Sequence, residues 1–191
     1  MAMDVTLKIF RTRGGEKPHY EDYRVTVPDA ANVLDAIEQV WAQHDHGLMF
    51  RHACHHASCG TCAVRINGRE QLPCIMPVSA YNGKTLKIEP LRNFPIIGDL
   101  VVDVAAFFQK QEASHFAITR PTEQVLNAIP IEHTMGRDAE SAAVVPFNRF
   151  EDCIECGICL SACPTMAGDF KFFGPAGLAA IKRQLGKTKD G

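Results

Sequence analysis

The sequence predicts an α+β fold in two parts: a compact sheet-and-helix domain over residues 1–98 and an all-helical domain over 99–191. Three observations carry that expectation. Apolar and polar residues alternate in several short runs of the first half, as in half-buried strands. Between those runs, and again after residue 98, apolar residues recur at helical spacing. The eight cysteines fall in two tight groups, one in each half.

The elements follow in order. "VTLKIF" (5–10) and "YEDYRVTV" (20–27) alternate as strands, and "RTRGGEKP" between them has the Gly14, Gly15 and Pro18 of a hairpin turn. "PDAANVLDAIEQVWAQH" places Val33, Leu34, Ile37, Val40 and Trp41 at helical spacing, with Asp29 or Asn32 as N-cap, and the stripe is expected to pack on a sheet. "CAVRINGREQLPC" gives two strands joined by the Asn67-Gly68 turn, and "KTLKIEPL" (84–91) gives one more. From Asp99, "DLVVDVAAFFQKQ" sets Leu100, Val101, Val104, Phe107 and Phe108 on one helical face. "RPTEQVLNAI" reads as a short helix, residues 128–148 as a linker with Pro130, Gly136 and Pro146, and "GPAGLAAIKRQLGK" (174–187) as a last helix with Pro175 near its start.

Charge and hydropathy exclude several classes. A net charge of −2 argues against nucleic acid or an anionic membrane surface as partner. The longest apolar stretch, "LVVDVAAFF" (100–108), is interrupted by Asp103 and falls short of the run of about 18 residues a membrane span needs. "MAMDVTLKIF" goes directly into a strand pattern without a secretory signal, which places the cysteines in a reducing compartment. There, metal ligation is a better reading than disulfides.

The first group, Cys54, Cys59, Cys62 and Cys74, has the spacing C-x4-C-x2-C-x11-C. Its first three positions match the plant-type pattern for a 2Fe–2S cluster. Ala57, Ser58, Gly60 and Thr61 are small enough to let the backbone approach such a cluster. Structural zinc favours two pairs of ligands, and only Cys59 and Cys62 make a good pair. A Rieske centre needs histidines in place of two cysteines, and no Cys-x-x-His occurs; His52, His55 and His56 are expected to form a solvent- or partner-facing rim. The second group, Cys153, Cys156, Cys159 and Cys163 in "CIECGICLSACP", is the bacterial cluster run, whose fourth cysteine ordinarily serves a different cluster. Gly157 stands where a close approach requires it. The ligand count then stays open: either Cys163 folds back to complete one 4Fe–4S site, or further ligands lie on sequence beyond "KTKDG".

Taken in order, "CHHASCGTCAVRINGREQLPC", "LKIEPLRNFPIIGDLVVDV", "CIECGICLSACP" and "FGPAGL" resemble the iron–sulfur subunit of succinate dehydrogenase and fumarate reductase, the complex II family, over nearly the whole chain. "PLRNFPIIGDLVVD" makes the resemblance more specific than the cysteine spacings do. It implies a β-grasp, plant-type 2Fe–2S ferredoxin domain over 1–98 and a helical, bacterial-ferredoxin-like domain over 99–191. On the matching positions, Cys54, Cys59, Cys62 and Cys74 would hold the 2Fe–2S cluster. Cys153, Cys156 and Cys159 would hold three irons of the 4Fe–4S cluster, and Cys163 would be the first ligand of a 3Fe–4S cluster. Some relatives carry Asp at the position of Cys62. The family's later cysteine run is missing here, so the second domain is expected to be partial at its C-terminus and the 3Fe–4S cluster to require that further sequence.

The function this implies is electron transfer in an oxidoreductase complex. Electrons would be relayed between the FAD of a flavoprotein subunit and a membrane quinone at membrane-anchor subunits. The chain itself would contribute no catalytic residue, and it holds no G-x-G-x-x-G nucleotide fingerprint. It would sit in the cytoplasm, peripheral on the inner face of a bacterial or archaeal plasma membrane, held there by its partners. The loop around Cys54–Cys62, with Arg51, His52, His55 and His56, would face the flavoprotein. A plant-type potential near about −400 mV is too reducing for that relay, so a raised potential is expected. A stand-alone two-cluster carrier and a heterodisulfide-reductase-like fumarate reductase subunit are the alternatives. Commonly acidic diffusing carriers fit a net charge of −2 less well.

Overall fold

The first two alternating runs form a long hairpin of β1 (Ala2–Arg11) and β2 (His19–Pro28), paired antiparallel with Val5 opposite Val25 and Leu7 opposite Tyr23. This is seen in a computed structural model, which describes residues 2–81, 83–105, 107–109, 153–168 and 172–185. Alternation turns Val5, Leu7 and Ile9 inward, and Leu7 and Ile9 are fully buried. Helix α1 (Val33–Gln43) lies over them. Asn32 caps it, its side chain accepting from the Asp35 amide at 3.0 Å while Asp35 accepts from the Asn32 amide at 2.8 Å.

The next two strands, β3 (Val64–Ile66) and β4 (Arg69–Gln71), turn at Asn67-Gly68, whose φ values of 49° and 81° suit a tight hairpin. Asn67 also accepts from the Lys87 amide at 2.8 Å, clipping the turn to β5 (Leu86–Glu89). The sheet order is β2-β1-β5-β3-β4, with β1 and β5 parallel and the other pairs antiparallel. The expected mixed sheet with one crossing helix is what the first part forms. Its core joins Leu7, Ile9, Val33, Ile37, Leu86 and Ile88.

Two sequence expectations change. Trp41 is 44% exposed; its indole N–H donates to the His46 carbonyl at 2.8 Å, an acceptor an apolar core does not offer. The helix expected from Asp99 starts later. Strands β6 (Ile96–Gly98) and β7 (Val101–Val102) pair there, because β-branched Val101 and Val102 suit a ladder opposite Ile96. Leu100 joins the core of the first part. Asp103 then accepts from the Ala105 amide at 2.8 Å, and residues 105 and 107–109 are helical.

Asp99 ties these pieces together. It is wholly buried, and its carboxylate accepts from the amides of Thr12 at 3.0 Å and Met49 at 2.9 Å. Arg11, also buried, meets Asp99 at 3.2 Å, Glu21 at 2.7 Å and Asp45 at 2.6 Å, so the buried charges are paired. Farther on lie the short helices α2 (Ile158–Ala162) and α3 (Pro164–Gly168) and the longer α4 (Gly174–Leu185). The helix expected in "RPTEQVLNAI" and the linker at 128–148 lie outside the described residues.

Candidate functional site

Both cysteine groups lie on loops that turn back on themselves. In the first, His55, Ala57 and Gly60 adopt left-handed backbone at φ 59°, 60° and 67°. The amides of Ser58 and Cys59 thereby turn onto the Cys54 sulfur, at 3.3 and 3.4 Å. Donors aimed at sulfur stabilise a thiolate: the His56 amide foremost, then the Ser58 side chain and the Cys59 amide, bring the Cys54 thiol down to about 5. At the other end Cys62 and Cys74 are buried beside Leu34, Leu72 and Leu91, Cys74 on the 3-10 turn Pro73–Ile75. Burial above all, with the Cys74 thiol adding to it against the opposing Cys74 backbone, pushes the Cys62 thiol up, a reluctance that a bound cation removes by deprotonating its ligand.

In the second group, Glu155 is left-handed at φ 59°, and Gly157 caps α2, which carries Cys159. A side chain on Gly157 would meet the Phe94 ring at 3.1 Å. Cys163 lies at the far end of α2, against the apolar group of Leu160 and Met166, whereas Cys156 packs in the group of Leu91 and Val102.

The two loops touch. A Cβ on Gly60 would lie 2.5 Å from Cys156 Cβ and 3.0 Å from the Ile154 carbonyl oxygen. A small residue at 60 was expected so that backbone could approach a cluster; here its smallness also admits the other cysteine loop. A cavity of about 250 Å³ opens at this junction, lined by Cys59, Thr61, Cys62, Glu155 and Cys156 among others. All-thiol donors, backbone N–H groups turned on sulfur and space between the loops fit iron–sulfur clusters better than a closed tetrahedral zinc site.

Sequence reasoning missed the residues that join the loops. Ser161 accepts from the Arg92 amide at 2.8 Å and donates to Glu70 at 2.9 Å. Asn93, left-handed at φ 63°, donates to the carbonyls of Leu160 at 2.8 Å and of Ser161 and Cys163 at 3.2 Å. The signal available was an Asn in the segment "PLRNFP", a residue that tolerates left-handed backbone. The three histidines do form an exposed rim; His56 hydrogen-bonds Ser58 Oγ at 3.0 Å and reaches the Cys54 carbonyl.

Comparison with known proteins agrees with this arrangement. Residues 6–109 match the family described as a 2Fe-2S iron-sulfur cluster binding domain, and residues 149–167 match a 4Fe-4S binding domain. The chain is 31% identical over 192 residues to the fumarate reductase iron-sulfur subunit of Haemophilus influenzae, covering 98% of this chain and 75% of that one. It is 34% identical over 173 residues to the fumarate reductase iron-sulfur subunit of Mycobacterium tuberculosis, covering 91% and 68%. Among solved structures, a chain of the Mycobacterium smegmatis Sdh1 complex in the apo form superposes with a TM-score of 0.70 at 28% identity, over 92% of this chain and 71% of that one.

A 2Fe–2S domain followed by a 4Fe–4S region defines an iron–sulfur electron-transfer protein. More narrowly, the chain belongs to the family of iron–sulfur subunits of succinate dehydrogenases and fumarate reductases. Its role is electron transfer within that class of oxidoreductase.

Proposed function

We propose that Cys54, Cys59, Cys62 and Cys74 hold the 2Fe–2S cluster and that Cys153, Cys156 and Cys159 hold three irons of the 4Fe–4S cluster. Cys163 serves a third cluster, of the 3Fe–4S type, completed by ligands outside these cysteines. The first domain is a β-grasp unit that runs past residue 98 to include β7, and the second is helical. When bound, the clusters take up and release single electrons. The chain's own residues set the conditions: N–H groups on the Cys54 sulfur favour its thiolate, and the apolar packing around Cys62 and Cys74 keeps water from that side. In this reading the chain works between the FAD of a flavoprotein subunit and a membrane quinone. It lies peripherally on the cytoplasmic face of a bacterial or archaeal membrane through membrane-anchor subunits. No helix among the described residues is long and apolar enough to cross a membrane.

The observation that carries the relay is the contact between cradles, where Gly60 leaves no room for a side chain against Cys156. Two cluster loops in van der Waals contact make a continuous path through protein. Separation of Cys163 from Cys156 into different apolar groups supports its assignment to another cluster. The test is iron content and low-temperature EPR on anaerobic preparations of three variants. Cys62→Ala should remove the 2Fe–2S signal and Cys156→Ser the 4Fe–4S signal, while Cys163→Ser should leave both. Loss of the 4Fe–4S signal in Cys163→Ser would mean that this cysteine closes the second site.

A further inference from the structure

Beside the first cradle, three side chains from two elements converge on one point. His52 and His55 come from the loop, and Glu38 from α1. His52 Nδ1 lies 3.1 Å from His55 Nε2 and 3.2 Å from Glu38 Oε1, and His55 Nε2 lies 3.5 Å from that same oxygen. The three atoms form a nearly equilateral triangle. Donors held about 2.0–2.1 Å from a tetrahedral zinc ion stand roughly 3.3 Å apart, so these three can share one coordination sphere and leave a fourth position for water.

The two imidazoles share a hydrogen bond, His52 Nδ1 to His55 Nε2, but hydrogen bonding does not account for the carboxylate beside them. Glu38 Oε1 is buried and accepts no hydrogen bond among the described residues, although both ring nitrogens lie within 3.5 Å of it. A buried carboxylate oxygen left without a donor is costly, and a cation at the centre of the triangle would satisfy it. The donors are also held in place. The His52 ring stacks on Phe50, with centroids 5.2 Å apart and planes 16° from parallel, and His55 sits edge-on to His52. His55, left-handed at φ 59°, has its Nε2 within 3.5 Å of Glu38 on α1. His56 is engaged elsewhere, with Ser58 and the Cys54 carbonyl.

We propose that Glu38, His52 and His55 bind one zinc ion through two imidazole nitrogens and a carboxylate oxygen, separately from the cysteine cradles. Imidazole donors select a first-row transition metal over magnesium or calcium, which prefer all-oxygen shells. The ion would cross-link α1 to the loop that carries Cys54 and Cys59. This inference stands apart from the assignment of the cysteines and does not depend on it.

Calorimetric titration with Zn²⁺, together with zinc K-edge absorption, tests it on the cluster-loaded full chain under anaerobic conditions. Cluster absorbance is followed to show that iron is not displaced. One zinc per chain is expected, with a nitrogen and oxygen shell at about 2.0–2.1 Å. His52→Ala, His55→Ala and Glu38→Gln should each weaken binding at least tenfold, and His56→Ala should leave it unchanged. A sulfur shell at about 2.3 Å, affinities in the three variants within twofold of the parent, or no binding would overturn the proposal. Should the loop variants fail to retain their cluster, Glu38→Gln decides alone, since that residue lies on α1 outside the loop.

Discussion

The two cysteine cradles hold the same donor type on unequal foundations. The first is rooted in its own domain: Cys62 and Cys74 are buried against Leu34 and Leu72, and the β3–β4 hairpin between them is paired to β5. The second has little of its own. Helix α2 has five residues, too few for stability in isolation, and Ile154, Cys156 and Ile158 pack against Leu91 and Val102 of the first domain. One cradle is a product of its fold, and the other takes its shape from its neighbour. Damage to the first domain should therefore reach both clusters, while damage at the junction should reach the second more than the first.

The largest effect tests the first half of that statement. Leu7→Ala opens a cavity under α1 and should cost about 2–5 kcal/mol. Chemical denaturation followed by cluster absorbance should show both clusters lost at one lowered midpoint. Retention of the 4Fe–4S signal after the 2Fe–2S signal has gone would break the comparison.

At the junction, Gly60→Ala places a methyl group 2.5 Å from Cys156 Cβ on a left-handed backbone. Strain of about 1–2 kcal/mol from the backbone adds to about 1–3 kcal/mol from overpacking. EPR spin counting should find the 4Fe–4S signal reduced by more than half and the 2Fe–2S signal reduced less, since the overpacking falls on the second cradle and the left-handed strain on the first. Asn93→Gly sharpens the point, since it keeps the left-handed conformation and removes only the amide that serves three carbonyls. A loss of about 1–3 kcal/mol is expected. It should appear as faster amide exchange over 158–168 with 62–74 unchanged.

Most of the first domain was legible in the sequence because its signals are local. Alternation in "VTLKIF", helical spacing after Asn32 and the Asn67-Gly68 turn each specify an element without reference to the rest of the chain. The cysteine spacings likewise announced two iron–sulfur sites. Residues 99–102 misled, because "DLVVDV" satisfies a helical stripe and a short strand equally well, and pairing with Ile96 decided it. The junction was not legible at all. Asn93, Glu70 and Ser161 are ordinary polar residues whose partners lie far along the chain, and Gly60 gave no hint that Cys156 stands against it.

The smallest effect belongs to the charge cluster under the first domain. The guanidinium of Arg11 holds the Asp45 carboxyl below its ordinary range. A lowered folded value means that the stabilisation is complete above about pH 3.9, the unfolded value, and is lost as pH falls through the folded one. For a partly exposed pair it should amount to less than about 1 kcal/mol. Urea unfolding of wild type and Asp45→Asn should therefore differ at neutral pH and converge as the solution is acidified below that value.

The position of β5 has a consequence for biosynthesis. It is the last strand of the large sheet in chain order, yet it lies in the middle, parallel to β1 on one side and antiparallel to β3 on the other. As the chain leaves the ribosome, β1 and β2 can close as a hairpin at once. The β3–β4 hairpin, flanked by Cys62 and Cys74, has no sheet to join until Glu89 has emerged. Pairings between such distant segments are slow to form. Throughout that interval the thiols of the first cradle are held only by a loose loop, so cluster delivery belongs after the synthesis of β5.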